Sequence, residues 1–234
     1  VRFLRIAAKF IFILCIPVLL FTATIAAAVN CPLLYEYGFQ KYNISSTTGL
    51  APAELSKAAR GLISYFNSGE EFINVTVTKN GETFELFNQR EKIHLKDVKA
   101  LFLLDYGSLA GTTVYAVGFG VIYLAYLRDK RQLAMSIFTG SVLTLGLMLL
   151  LGLTAVFNFS WFFLQFHLLS FANDFWMLDP SRDYLIMLFP GGFWYDAVIF
   201  ILMGILGGAV IAGGISGFYL FKRGNKVDVL TGFD

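Results

Sequence analysis

From residue 133 to residue 173 the chain carries no charged side chain. As one straight helix that run would extend about 60 Å, twice the hydrocarbon thickness of a bilayer. Only 15% of the 234 residues are charged, whereas a soluble globular domain runs nearer a quarter. Such a stretch can be solvated only by lipid or by other apolar helices, so the chain reads as a polytopic membrane protein.

Three further uncharged stretches have span length: 10–29, 107–127 and 197–221. The first follows Arg2, Arg5 and Lys9 and ends in small residues, as a signal peptide does. Its length is that of a span, so an uncleaved first helix is expected. The long run must make either two spans or one span with a segment lying at the interface. Its only polar break, Asn158-Phe159-Ser160, comes too late for two. Two spans would also put Lys222, Arg223 and Lys226 on the side opposite the other basic ends, against the positive-inside rule. The expected order is a first span over 1–29, a cap over 30–106, and spans over 107–127, 133–157 and 197–221. A short cytoplasmic loop over 128–132, an interfacial aromatic segment over 158–196 and a cytoplasmic tail over 222–234 complete it. Both termini then face the cytoplasm. Gly204, Gly208, Gly213 and Gly217 are read as close helix-packing positions in the last span.

The cap is the most polar part of the chain. Pro52 followed by Leu55, Ala58, Ala59, Leu62 and Phe66 predicts an amphipathic helix. Alternating residues from Phe72 and from Thr83 flank Asn80-Gly81, a strong hairpin signal. A helix starting near Leu95 is expected to feed the second span. The fold class is thus an all-α membrane bundle of four transmembrane helices carrying a small mixed α/β extracytoplasmic cap of helix plus β-hairpin. Cys15 and Cys31 lie too far apart along one helix to be bridged. The net charge of +2, without a basic stripe, argues against a nucleic-acid partner.

The chain has two histidines, one in each outer segment and each near a span. Asp97 follows His94 at a spacing that puts both on one helix face, where the carboxylate could orient the imidazole. A histidine pair near a lipid interface suits acid–base work on an ester or amide of a lipid. A histidine at a membrane interface is nevertheless more often a satisfied polar residue than a catalyst. No metal is expected, because two histidines need further ligands and none has a diagnostic spacing. GxSxG, HExxH and phosphate-loop motifs are absent. The aromatics Phe166, Phe171, Trp176, Phe193, Trp194 and Tyr195 fit interface anchors or, in a sharper reading, a pocket for acyl chains.

At these residues the chain resembles a known family. Glu91-Lys-Ile-His94-Leu-Lys-Asp97-Val98 is similar to the E-x-x-H-M-x-D-V stretch of the bacterial lipoprotein intramolecular transacylases, with Leu95 a volume-conserving replacement for Met. Phe166-His167, Trp176-x-Leu178-Asp179-Pro180, Leu188-Phe189-Pro190 and Phe193-Trp194-Tyr195-Asp196 resemble its second block. The resemblance implies four helices with an extracytoplasmic cap in the cytoplasmic membrane, the site at the outer leaflet, and His94 and His167 as the catalytic pair. Glu91, Asp97, Asp179 and Asp196 become supporting acids, and the aromatics become the substrate-binding set. It also implies the reaction: the sn-2 acyl chain of a diacylglyceryl lipoprotein passes to the α-amine of its N-terminal cysteine, leaving a lyso-form lipoprotein. The implied partners are such lipoproteins and membrane lipids, and no cofactor is required.

Attack of the amine on the sn-2 carbonyl closes a ring of about eight atoms, so holding the two ends together is much of the task. The amine, with a pKa near ~8, must lose a proton, and the departing glyceryl oxygen must gain one. Two other classes compete: a non-enzymatic lipid-binding or transporter-accessory membrane protein, and an acyltransferase drawing on phospholipid.

Overall fold

The computed structural model describes the backbone of residues 2–231 and the side chains of residues 2–223. The end of the expected tail, 232–234, and the side chain of Lys226 lie outside the described residues. In chain order the elements are α1 (Arg2–Val29), α2 (Pro32–Lys41), α3 (Ile44–Thr48), α4 (Pro52–Phe66), β1 (Thr76–Lys79) and β2 (Glu82–Glu85). Then come α5 (Gln89–Val121), a π-helical turn (Ile122–Tyr126), α6 (Lys130–Phe157), α7 (Phe159–Ser170), α8 (Tyr184–Leu188) and α9 (Gly191–Thr231). Among the described residues four helices are long and apolar enough to cross a membrane, Arg2–Val29, Gln89–Tyr126, Lys130–Phe157 and Gly191–Arg223, and there is one small two-stranded sheet, the make-up of a four-span membrane protein.

By compactness the chain divides into two units. The first comprises residues 1–24, 106–153 and 201–234, and its regular elements among the described residues are all helical. Phe12 stacks on Phe119 at 4.1 Å, and Phe119 on Tyr123 at 4.4 Å, while Tyr115 donates its hydroxyl to the Ala8 carbonyl at 2.8 Å. Gly204 and Gly208 of α9 meet Thr24 and Leu20 of α1, and Gly213 and Gly217 meet Ser141 and Phe138 of α6. Absence of a side chain lets these helices approach where lipid offers no hydrophobic drive between them. Buried Thr144 returns its hydroxyl to the Gly140 carbonyl four residues back, at 2.8 Å, and so is satisfied within its own helix. Large side chains such as Val114 (74% exposed) and Phe218 (68%) face outward, as a surface bathed in lipid requires.

The second unit comprises residues 25–105 and 154–200. Its core is organised by α4, whose Leu55, Ala58, Ala59, Leu62, Tyr65 and Phe66 are buried at spacings of three and four. Each large apolar side chain so enclosed contributes about 1.5–3 kcal/mol. The hairpin closes over this face through Val75, Val77 and Leu86. Asn80 (φ 55°) and Gly81 (φ 85°) both take positive φ, the requirement of the two-residue turn that matches strand twist. Thr76 pairs with Glu85 and Lys79 with Glu82. Strand structure was expected from Phe72, yet β1 begins at Thr76. In this register Phe72 would face Gln89, which is already the first residue of α5, so the partner strand has run out.

α5 begins at Gln89, six residues before the helix start expected near Leu95, because Asn88 and Glu91 form a capping box. Asn88 Oδ1 accepts from the Glu91 N–H at 3.1 Å, and Glu91 Oε2 accepts from the Asn88 N–H at 2.7 Å. The long uncharged run breaks at Asn158, whose side chain accepts from the Trp161 N–H at 3.2 Å and starts α7 as a separate helix. At Pro190-Gly191-Gly192 a turn was expected, but Gly191 and Gly192 already belong to the first turn of α9.

Candidate active site

All residues of the candidate site belong to the second unit. His94 sits in the second turn of α5, fixed by the capping box one turn earlier. His167 sits near the end of α7. The two rings face each other with centroids 6.2 Å apart and planes inclined by 28°. Both are buried, at 7% and 8% exposure, so this is an enclosed pair.

Aromatic rings wall the pair. His167 meets Phe163 at 4.4 Å, Trp176 at 4.9 Å and Phe166 at 5.3 Å. Phe171 lies edge-on to His94 at 5.0 Å and also reaches His167 at 5.6 Å. Such surroundings disfavour charge. Burial, helped by the neighbouring His167, pulls the His94 pKa down from 6.5 to about 4, with Asp97 opposing. Burial likewise lowers that of His167, opposed by the Phe163 carbonyl. At neutral pH both imidazoles are neutral, which leaves each with one N–H and one lone pair.

Their hydrogen bonding differs. His167 Nδ1 lies 2.8 Å from the Phe163 carbonyl, an obligate acceptor, so Nδ1 carries the proton and the lone pair is on Nε2. Among the described residues His94 Nδ1 is enclosed and has no hydrogen-bond partner. An unpartnered buried polar atom costs about 1–3 kcal/mol, and such groups mark sites held for something other than stability.

The acids expected to support the pair serve distinct ends. Asp97 accepts from Asn173 Nδ2 at 2.9 Å, and Asn173 Oδ1 accepts from the Phe175 N–H at 3.1 Å. Its influence on His94 is electrostatic, and its hydrogen bond goes to the loop after α7. Glu91 is 1% exposed, and its second oxygen accepts from the Leu185 N–H at 2.6 Å, at the start of α8. Burial pushes its carboxyl pKa up, while the two backbone N–H groups hold it down. Asp179 accepts from the N–H and hydroxyl of Ser181, stabilising a turn. Asp196 receives Lys41 Nζ at 2.6 Å and the Tyr42 hydroxyl at 2.9 Å, tying α9 to the α2–α3 segment.

Of the expected aromatics, Phe166, Phe171 and Trp176 surround the histidines. Trp194 comes near through Phe163, at 5.9 Å. Phe193 is instead core, packed on Phe189 and over Gly38, where a Cβ would fall 2.2 Å from its ring. Tyr195 packs on Phe159. Sequence reasoning missed Phe163, which stands four residues before His167 and so in reach along one helix face. It also missed Asn88, Asn173 and Asp183, the last buried and accepting from Asn88 Nδ2 at 2.8 Å. Their signal lies in tertiary pairing.

The model of the family described as "lipoprotein intramolecular transacylase Lit" matches residues 10–194. An uncharacterized protein of Aquifex aeolicus (strain VF5) is 33% identical over 155 residues, covering 65% of this chain and 66% of that protein, just under two thirds of its length. Among solved structures, the membrane-integral lipoprotein intramolecular transacylase of Bacillus cereus superposes with a TM-score of 0.80 at 25% identity, over 97% of this chain and 100% of that one. A variant of that protein with one histidine replaced by arginine superposes at 0.74 and 24% identity, covering 94% and 93% of the two chains. With most of its length matched, the chain belongs to the lipoprotein intramolecular transacylase family of membrane acyltransferases.

Proposed function

We propose that this protein transfers the sn-2 acyl chain of a diacylglyceryl lipoprotein to the α-amine of the same molecule's N-terminal cysteine, with His94 and His167 as its acid–base pair. The observation that carries this reading is the facing pair of buried, neutral imidazoles. His167 acts as the base through Nε2, because the Phe163 carbonyl holds the opposite proton and offsets the charge of the imidazolium formed. His94, which resists protonation more strongly, serves as a neutral N–H donor to the carbonyl oxygen on which charge develops. The amine gives up one proton and the glyceryl oxygen takes one, so the pair ends as it began. Asp97 acts on His94 through its charge. Phe166, Phe171 and Trp176 exclude water and offer an apolar surface to the acyl chain. The termini are cytoplasmic and the site opens at the outer leaflet of the cytoplasmic membrane.

The test is a synthetic diacylglyceryl lipopeptide with a free N-terminal cysteine, given to the purified protein in detergent without phospholipid. The parent mass should stay constant while one acyl chain becomes an amide, so that mild alkali releases one fatty acid where the substrate released two. A product one acyl group heavier means a phospholipid donor, and one acyl group lighter means hydrolysis. Either result, or no conversion, ends this reading.

A further inference from the structure

The first unit holds a cavity of about 650 Å³, lined on one side by Arg2, Arg5, Ile6 and Lys9 of α1. Arg2, Arg5 and Lys9 stand at positions i, i+3 and i+7, one face of the helix, and that face continues into buried Phe12 and Ile16. The cations therefore lie on the same stripe, with Arg2 and Arg5 exposed at its open end and Lys9 half-buried beside the Phe12 turn. The opposite wall is Tyr123 from the π-turn and Leu127 just after it, with Asp129 just before α6 and Gln132 in its first turn. Wall positions are held by the Phe12–Phe119–Tyr123 stack and by the Tyr115–Ala8 hydrogen bond. The π-turn is itself an uncommon device, frequent at functional sites.

Charge here is unbalanced. Among the described residues none of the three cations has an ion pair, and the one lining carboxylate, Asp129, already accepts the Gln132 N–H at 2.9 Å. Three like charges around one space repel unless an anion joins them. Ile6, Leu127 and the buried Tyr123 ring add an apolar wall, which suits an amphiphile better than a free ion. We propose that this cavity binds the phosphate headgroup of an anionic phospholipid from the adjoining leaflet, with Arg5 and Lys9 as principal phosphate ligands. This reading is independent of the acyl-transfer chemistry.

The test uses the purified full chain in nanodiscs, with dioleoylphosphatidylglycerol or dioleoylphosphatidylcholine as the probe and native mass spectrometry as the readout. The wild type should retain phosphatidylglycerol in preference to phosphatidylcholine. An Arg5→Gln/Lys9→Gln variant should lose that retention by roughly tenfold or more, and Arg5→Lys/Lys9→Arg should keep it. Asp129→Asn, which preserves the helix cap but removes the competing charge, should retain the lipid more tightly, and it decides the matter if the doubly neutral variant does not fold. Equal retention of both lipids, unchanged retention in the neutral variant, or weaker retention in Asp129→Asn overturns the proposal. Displacement of the lipid by inorganic phosphate assigns the site to free phosphate and likewise overturns it.

Discussion

His94 and His167 face each other at 6.2 Å between ring centres, yet only His167 is anchored, by the Phe163 carbonyl. The asymmetry separates two pH effects. For stability, a histidine pKa lowered on folding means that the neutral form carries the stabilisation. That stabilisation is complete above the ordinary value near 6.5 and is lost as pH falls toward the His94 value of about 4. The loss for His94 should amount to about 3 kcal/mol across that window, read as a falling denaturation midpoint. A His94→Phe variant should flatten the profile.

Activity should follow a different curve. Because His94 stays neutral down to about pH 4, the rate at limiting substrate should track deprotonation of the substrate amine, rising toward its pKa near ~8. A profile that broke near pH 4 instead would make His94 the titrating base.

His94→Ala and His167→Ala should each abolish conversion of the lipopeptide while leaving the protein folded and monodisperse. Asp97→Asn should cost less than about tenfold, since the Asn173 contact can persist and only a through-space charge is removed. Full activity in both histidine variants at normal expression would show the pair to be structural.

Glu91→Gln should act on stability. The carboxylate accepts two backbone N–H groups, from Asn88 and Leu185, and an amide can accept only one of them while turning its own donors on the other. The expected loss is about 1–3 kcal/mol of unfolding free energy with the rate of the folded fraction nearly unchanged. A large fall in rate without a fall in stability would make Glu91 part of the chemistry.

Orientation can be read by thiol labelling in a background lacking Cys15 and Cys31. Ser68→Cys and Ser181→Cys should react with an impermeant reagent in intact cells, and Gln132→Cys should not. Labelling of Gln132→Cys alone would invert the proposed topology and move both histidines to the cytoplasmic side.

Three of the four spans were legible because they are one-dimensional facts: a bilayer requires a run of apolar residues of fixed length, and residues 10–29, 107–127 and 197–221 supply it without reference to anything else, while the span over 133–157 also needed the late break at Asn158 and the placement of the basic ends. The α4 face and the Asn80-Gly81 turn were legible for the same reason, since periodicity and positive φ are local demands. The histidines could be named from residue scarcity and from family resemblance. Their proximity could not, because it depends on the break at Asn158 setting α7 as a helix of its own and on the Asn88–Glu91 box fixing where α5 begins. The supporting acids show the limit most clearly. Sequence spacing put Asp97 within reach of His94, but a carboxylate goes to whichever donor the fold delivers, and the fold delivers Asn173 to Asp97 and the backbone of Leu185 to Glu91. Hydrogen bonds between residues far apart in the chain are decided by packing, which apolar patterning constrains only in part. Tertiary structure alone therefore decided which buried polar groups are satisfied and which, among the described residues, are not, Nδ1 of His94 being the one that lies in the candidate site's histidine pair.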